Sequence, residues 1–156
     1  MKVLLVYDSQ YGNTEKIARA IGGAVGGDVS VVPVGKANAS GLESFDLLIV
    51  GSPTQRAGYL PSIQDFLDRI PDNALTGVRV AAFDTRITAR SGGIGTRVMA
   101  AIAGGLGYAA GHIAEALEAK GGIPAASPEG FIVNGIHGPL KKGELERATE
   151  WGKKLR

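Results

Sequence analysis

The feature that most restricts the fold is a regular alternation of two kinds of segment. Four short apolar runs, at residues 3–7, 29–34, 47–50 and 78–83, are separated by longer stretches in which apolar residues recur at helical spacing. Runs this short, bounded by turn residues, read as strands. The unbroken Leu47-Leu48-Ile49-Val50 suits a strand covered on both faces. Behind the first run, Ile17, Ala20, Ile21 and Ala24 mark one face of a helix over residues 14–25, closed by Gly26-Gly27. Residues 35–41 read as a link with room for one helical turn. Pro61 suits a first helical position. Ile63, Phe66, Leu67 and Ile70 form the inner stripe of the helix that follows, and Pro71-Asp72 closes it. Residues 96–120 carry a helical pattern through Val98, Ile102, Leu106, Ile113 and Leu117. Gly104, Gly105, Gly107 and Gly111 interrupt that pattern and predict a kink or a break. Residues 123–126 and 131–133 read as two pieces of a fifth strand, and residues 144–155 as a final helix.

This alternation predicts an α/β fold with a parallel sheet and helices on both faces. Right-handed crossovers leave few topologies. Ligands of such sheets bind beyond the carboxyl ends of the strands. Chemistry is therefore expected in the loops that begin at Asp8, Gly51 and Asp84. No repeat, low-complexity segment or linker divides the chain, so residues 1–156 read as a single domain. The absence of cysteine excludes a disulfide framework, a thiolate metal site and thiol catalysis. No apolar run approaches the roughly 18 residues of a membrane span. Too few apolar residues precede Asp8 for a secretory leader, so a cytoplasmic protein is expected. A net charge of +2, with no basic stripe interleaved with aromatics, gives no reason to expect nucleic acid as a partner. His112 and His137 have no acid or nucleophile beside them in sequence, and Ser91 lacks the glycine context of a nucleophile elbow. Asp65 and Asp68 read as a solvated helix face. No catalytic or metal-ligating residue is expected.

The first loop carries the most specific signal. Residues 3–7 run into Asp8-Ser9-Gln10-Tyr11-Gly12-Asn13-Thr14, and a helix follows at once. A helix N-terminus presents unpaired N–H groups and the positive end of its dipole, so a phosphate fits there without a basic residue. Ser9, Asn13 and Thr14 add side-chain donors, and Gly12 permits a close backbone approach or positive φ. The plainer alternative is that Ser, Asn and Thr only cap the helix. Other phosphate loops fit less well. The Gly-Lys-Ser/Thr of a Walker loop is absent, and a dinucleotide fingerprint needs three spaced glycines. Gly92-Gly93-Ile94-Gly95 lacks that spacing.

Ser9-x-x-Gly12-x-Thr14, directly after Val-Leu-Leu-Val-Tyr, resembles the FMN-phosphate loop of the flavodoxin family. Gly51-Ser52-Pro53-Thr54 resembles that family's second flavin loop, and Phe83-Asp84-Thr85-Arg86 its third. All three occur in order at strand ends. The resemblance implies a flavodoxin-like three-layer sandwich: a five-stranded parallel sheet of order 2-1-3-4-5 with helices on both faces. It implies FMN as cofactor. Ser9, Gln10, Gly12, Asn13 and Thr14 would bind the phosphate, with Tyr11 covering the ribityl chain or capping the loop. Pro53, Thr54, Gln55 and Tyr59 would line one side of the isoalloxazine, and Asp84, Thr85 and Arg86 its other side or pyrimidine edge.

The sequence also departs from the family pattern. Electron-carrier flavodoxins usually hold the ring between aromatic side chains. Here the second loop offers only Tyr59, and the third, from Asp84 to Gly95, has none. The single Trp, Trp151, lies in the last helix, where packing is the simpler role. Such carriers are typically acidic, whereas this chain has a sequence pI near 9.0 and places Arg56, Arg86, Arg90 and Arg97 in or near the same loops. Arginine beside the flavin would favour its reduced anion and anionic partners. The resemblance implies an electron carrier served by separate redox partner proteins, a reductase and an acceptor. The alternative is a small FMN-dependent NAD(P)H or quinone reductase on the same fold, which the missing aromatic and the arginines favour. A response-regulator receiver shares the sheet order but needs an acceptor Asp where Val50-Gly51-Ser52 stands. The sequence leaves the oligomeric state open.

Overall fold

The computed structural model describes residues 1–55, 58–88 and 107–156. The chain begins with β1 (Lys2–Tyr7), α1 (Asn13–Val25) and β2 (Asp28–Pro33). Then come β3 (Leu47–Pro53), α2 (Pro61–Arg69) and β4 (Arg79–Arg86). It ends with α3 (Ala109–Ala119), β5 (Ile123–Pro124), β6 (Glu129–Ile132) and α4 (Glu144–Lys154). The link between β2 and β3 holds two single 3₁₀ turns, Val34–Lys36 and Leu42–Ser44, where the sequence suggested one helical turn.

The sheet is parallel, with strand order β2-β1-β3-β4-β5, and β6 also pairs with β4. The expected five-strand order is therefore present, and the fifth strand is in two pieces. On β4 the pairing moves from Val80 to Phe83, three residues on. Across from it the chain advances five, from Pro124 to Glu129. The two surplus residues bulge out of the ladder, and Pro124 and Pro128, which lack an N–H to donate, flank the bulge.

Alternation along β1 builds the three layers. Val3, Leu5 and Tyr7 face one side of the sheet with Ile17, Ile21 and Trp151 from α1 and α4. Leu4 and Val6 face the other, with Ile63, Phe66, Leu67, Ile113 and Leu117 from α2 and α3. Strand side chains repeat every two residues, so a strand buried on both faces must be apolar throughout. Leu47, Leu48, Ile49 and Val50 are all fully buried. Trp151 is a core residue, packed edge-to-face with Phe83 and Phe131 at centroid distances of 6.4 and 6.3 Å. The Phe83 ring also requires Gly51 on the neighbouring strand, where an added Cβ would lie 2.0 Å from its Cζ.

Of the glycines that predict a kink or break in the pattern over residues 96–120, Gly107 interrupts it among the described residues. Gly107 has φ +95 and Tyr108 is extended, so α3 starts only at Ala109. Residues 96–106 of that pattern lie outside the described residues, as do Arg56, Arg90, Ser91 and Arg97. Among the described residues, no helix is long and apolar enough to cross a membrane.

Candidate functional site

Parallel pairing ends the central strands on the same edge. Tyr7 is level with Gly51, Gly51 with Phe83, and Pro53 with Thr85. The three predicted loops therefore start side by side. Specific hydrogen bonds then hold them together.

The first loop folds around Ser9. The Ser9 N–H donates to Asp8 Oδ1 at 2.8 Å, and the Ser62 hydroxyl donates to the other Asp8 oxygen. Ser9 Oγ accepts from the N–H groups of Gly12 (3.0 Å) and Glu15 (3.3 Å). Gly12 sits at φ +90, a left-handed geometry that L side chains resist, and caps α1 with its carbonyl bonded to Lys16 N–H at 3.1 Å. Among the described residues, the N–H groups of Gln10, Tyr11, Asn13 and Thr14 have no acceptor. No side chain from Ser9 to Thr14 carries a charge. The loop thus combines free backbone donors with a helix dipole, the chemistry of an anion cradle.

The side chains of this loop divide their work. Thr14 was expected to offer its hydroxyl to the ligand. Instead it is buried and pairs with the Thr85 hydroxyl at 2.7 Å, tying α1 to β4. Asn13 is also buried, beneath Gly138. Gln10 accepts from the Gln55 amide, which links the first loop to the second. Tyr11 is 48% exposed and meets the His137 ring edge-to-face.

The second loop leaves β3 at Pro53. The Thr54 N–H donates to Thr85 O at 2.9 Å, and Thr54 Oγ1 accepts from Ala109 N–H at 3.0 Å. Gln55 and Gly58 exchange both backbone hydrogen bonds, closing a tight turn. Tyr59, expected on the ligand side, packs against the core beside α2. Burial, and then the nearby Asp68 carboxylate, push its phenol above the ordinary tyrosine range.

At the start of the third loop Asp84 and Arg86 are paired with each other. Asp84 is fully buried, and its carboxylate takes a two-pronged contact from Arg86, both bonds at 2.7 Å. It also accepts from Ala110 N–H at 2.9 Å, anchoring the start of α3. The Arg86 guanidinium lies 3.7 Å from the centroid of the Tyr108 ring. The positive charge of Arg86 is thus matched by a buried carboxylate two residues away.

Sequence reasoning missed Ser62, Tyr108 and His137 as neighbours of the site. Only chain crossings bring Tyr108 and His137 there, and no local spacing marks them. Among the described residues, no group of three or more His, Asp or Glu side chains could hold a metal ion. A cavity of about 460 Å³ lies away from the three loops, between α3 and the bulged edge, lined in part by Ala82, Ala114, Leu117, Pro124 and Pro128.

A parallel 2-1-3-4-5 sheet with three linked loops at its carboxyl edge defines a doubly wound α/β protein, a class whose ligands bind at that edge. The chain belongs to the flavodoxin family: residues 4–99 match the family model described as a flavodoxin domain. It is similar to a flavodoxin of a Picosynechococcus species, 38% identical over 85 residues, which is 53% of this chain and 50% of that protein. The chain spans about half the length of the curated relatives it matches. In fold it is similar to oxidised Flavodoxin 1 from Bacillus cereus, with a TM-score of 0.76 at 21% identity over 99% of this chain and 97% of that one. It is likewise similar to a flavodoxin from the domain Archaea, with a TM-score of 0.74 at 24% identity over 99% and 96% of the two chains.

Proposed function

We propose that residues 1–156 act as one flavodoxin-like domain that binds FMN non-covalently and carries electrons between separate reductase and acceptor proteins. The observation that carries this reading is the first loop, where four backbone N–H groups without an acceptor among the described residues surround an uncharged left-handed turn. A phosphate monoester supplies the acceptors such a loop lacks. Ser9, Gln10, Gly12, Asn13 and Thr14 would hold it mainly through the backbone. The Pro53–Gln55 segment and the end of β4 would border the ring. When bound, FMN supplies reversible one- and two-electron chemistry that the side chains here cannot supply.

The protein's own part is to bind, orient and tune. The Thr14–Thr85 pair and the Gln10–Gln55 bond fix the spacing of the loops. The Asp84–Arg86 pair offsets the charge of Arg86, which reduces its pull on a reduced, anionic ring. That pairing weakens one argument for the small-reductase alternative.

The test is absorption of the purified protein with and without added FMN, together with a fluorescence titration. Oxidised-flavin bands and quenched emission on stoichiometric binding are expected. Absence of binding at micromolar FMN would reduce the loop to a helix cap. Rapid bleaching of the bound flavin by NAD(P)H alone would replace the carrier reading with a reductase.

A further inference from the structure

His137 reaches the first loop from an element outside the sequence motif. Between β6 and α4 the chain makes a closed turn. Asn134 N–H donates to Pro139 O at 2.9 Å, Gly138 N–H donates to Gly135 O at 3.0 Å, and Val133 and Leu140 pair as an antiparallel bridge. The tip of this turn rests on the first turn of α1. Gly138 has φ +95, and a Cβ there would lie 2.7 Å from Asn13 Nδ2. One residue earlier, the imidazole meets the Tyr11 ring at a centroid distance of 4.3 Å and an interplanar angle of 81°. Both rings are exposed, so a ligand in the loop and the solvent both have access to them.

Among the described residues, the carboxylates of the first loop and the start of α1 are held by other groups. The Asp8 carboxylate is taken by the Ser9 N–H and the Ser62 hydroxyl. Glu15 accepts from the Tyr7 hydroxyl at 2.9 Å and pairs with Arg19 at 3.4 Å. From residue 134 to residue 140, His137 is the one titratable side chain, and Lys141 follows where the chain turns back to Ile132. A helix N-terminus supplies roughly half a positive charge, against the charge of about −1.5 to −2 on a phosphate monoester. Among the described residues, neither residues 9–14 nor residues 134–140 hold a lysine or arginine to offset such a ligand, and an imidazole is a side chain able to do so.

We propose that His137 is a specificity residue for the phosphate: its protonated ring supplies a counter-charge, so that this chain prefers FMN over riboflavin more strongly as pH falls. The proposal rests on the flavin reading above and adds a residue from a separate element of the fold. It is tested by fluorescence titration of FMN and of riboflavin into wild type, His137→Gln and His137→Lys at pH 6.0 and 8.5. Comparing variants at one pH cancels the ligand's own titration. Wild type should bind FMN about three- to tenfold more tightly than His137→Gln at pH 6.0, the size of one partly screened charge interaction, and equally at pH 8.5. His137→Lys should keep the advantage at both values, and riboflavin should bind all three proteins alike. Equal FMN affinity of wild type and His137→Gln at pH 6.0 would overturn the proposal. A parallel loss of riboflavin affinity would overturn it too, by showing that His137 only props Tyr11. If wild type binds neither flavin, the flavin reading fails and this inference falls with it.

Discussion

The pair of hydroxyls that joins α1 to β4 gives a sharp energetic prediction. Thr14 is 2% exposed and Thr85 4%, and their Oγ atoms lie 2.7 Å apart. Thr14→Val removes one hydroxyl, keeps the branched shape and leaves the Thr85 hydroxyl buried beside a methyl group. A buried polar group stripped of its partner costs about 1–3 kcal/mol, so each single valine should destabilise the fold by about 2 kcal/mol. Thr14→Val/Thr85→Val removes both polar groups together and loses only the net worth of the bond, about 1 kcal/mol. The double variant should therefore be more stable than either single one, with a coupling energy of about 2–3 kcal/mol across the pair. Urea unfolding measures it. With a denaturant slope of about 2 kcal/mol/M, each single variant should unfold about 1 M earlier than wild type. Trp151, the only Trp and 5% exposed, reports the core by fluorescence, and far-UV circular dichroism reports the backbone. Coincident curves license the two-state treatment. If the double variant lost the sum of the two single losses, to within about 0.5 kcal/mol, the hydroxyls would not be partners and the tie between the two loops would be refuted.

Two further outcomes follow from the packing. Gly51→Ala drives a Cβ to within 2.0 Å of Phe83 Cζ, and that ring is held on its other sides by Phe131 and Trp151. It should cost at least the 1–3 kcal/mol or so of an overpacked core, and Phe83→Leu in the same chain should recover part of it in the same urea assay. Glu144 accepts from Ile132 N–H at 2.7 Å and pairs with Arg147 at 2.8 Å, fastening α4 to β6. Burial works to raise its carboxyl, but Arg147 and the Ile132 N–H outweigh it and hold the group below the usual carboxylate range. A depressed carboxyl contributes stability that is complete above its unfolded value and is lost as pH falls through the folded one. Glu144→Gln should therefore destabilise the protein by about 1–3 kcal/mol at pH 7, and its unfolding midpoint should converge on that of wild type as the pH is lowered through the acid range. A gap that stayed constant down to pH 2 would show that the carboxylate charge plays no part.

Much of the fold was legible because its signals are local. β1, β3 and β4 announced themselves as apolar runs because both of their faces are covered, and Pro61 and Gly26 marked a helix start and a helix end. The bulged fifth strand was legible as two pieces, since prolines and glycines punctuate it. The interruption of the helical pattern over residues 96–120 was legible in its glycines, of which Gly107 takes a left-handed conformation just before α3. Within the site, the open backbone donors of the first loop were readable because that property lies in the backbone and the glycine. The roles of single side chains were less readable. The pairing of the Thr14 hydroxyl with Thr85 and of Arg86 with Asp84 was not readable from local sequence.

The sequence by itself determined the order of elements, the parallel three-layer plan and the three loops at one edge, because strand and helix periods and turn residues act over a few neighbours. Tertiary structure alone decided which polar groups face a ligand and which face each other. Thr85 meets Thr14, Asp84 meets Ala110 and Tyr11 meets His137, each pair distant along the chain. A buried hydroxyl or carboxylate takes whatever partner the fold brings within about 3 Å, and no local pattern encodes which partner that is.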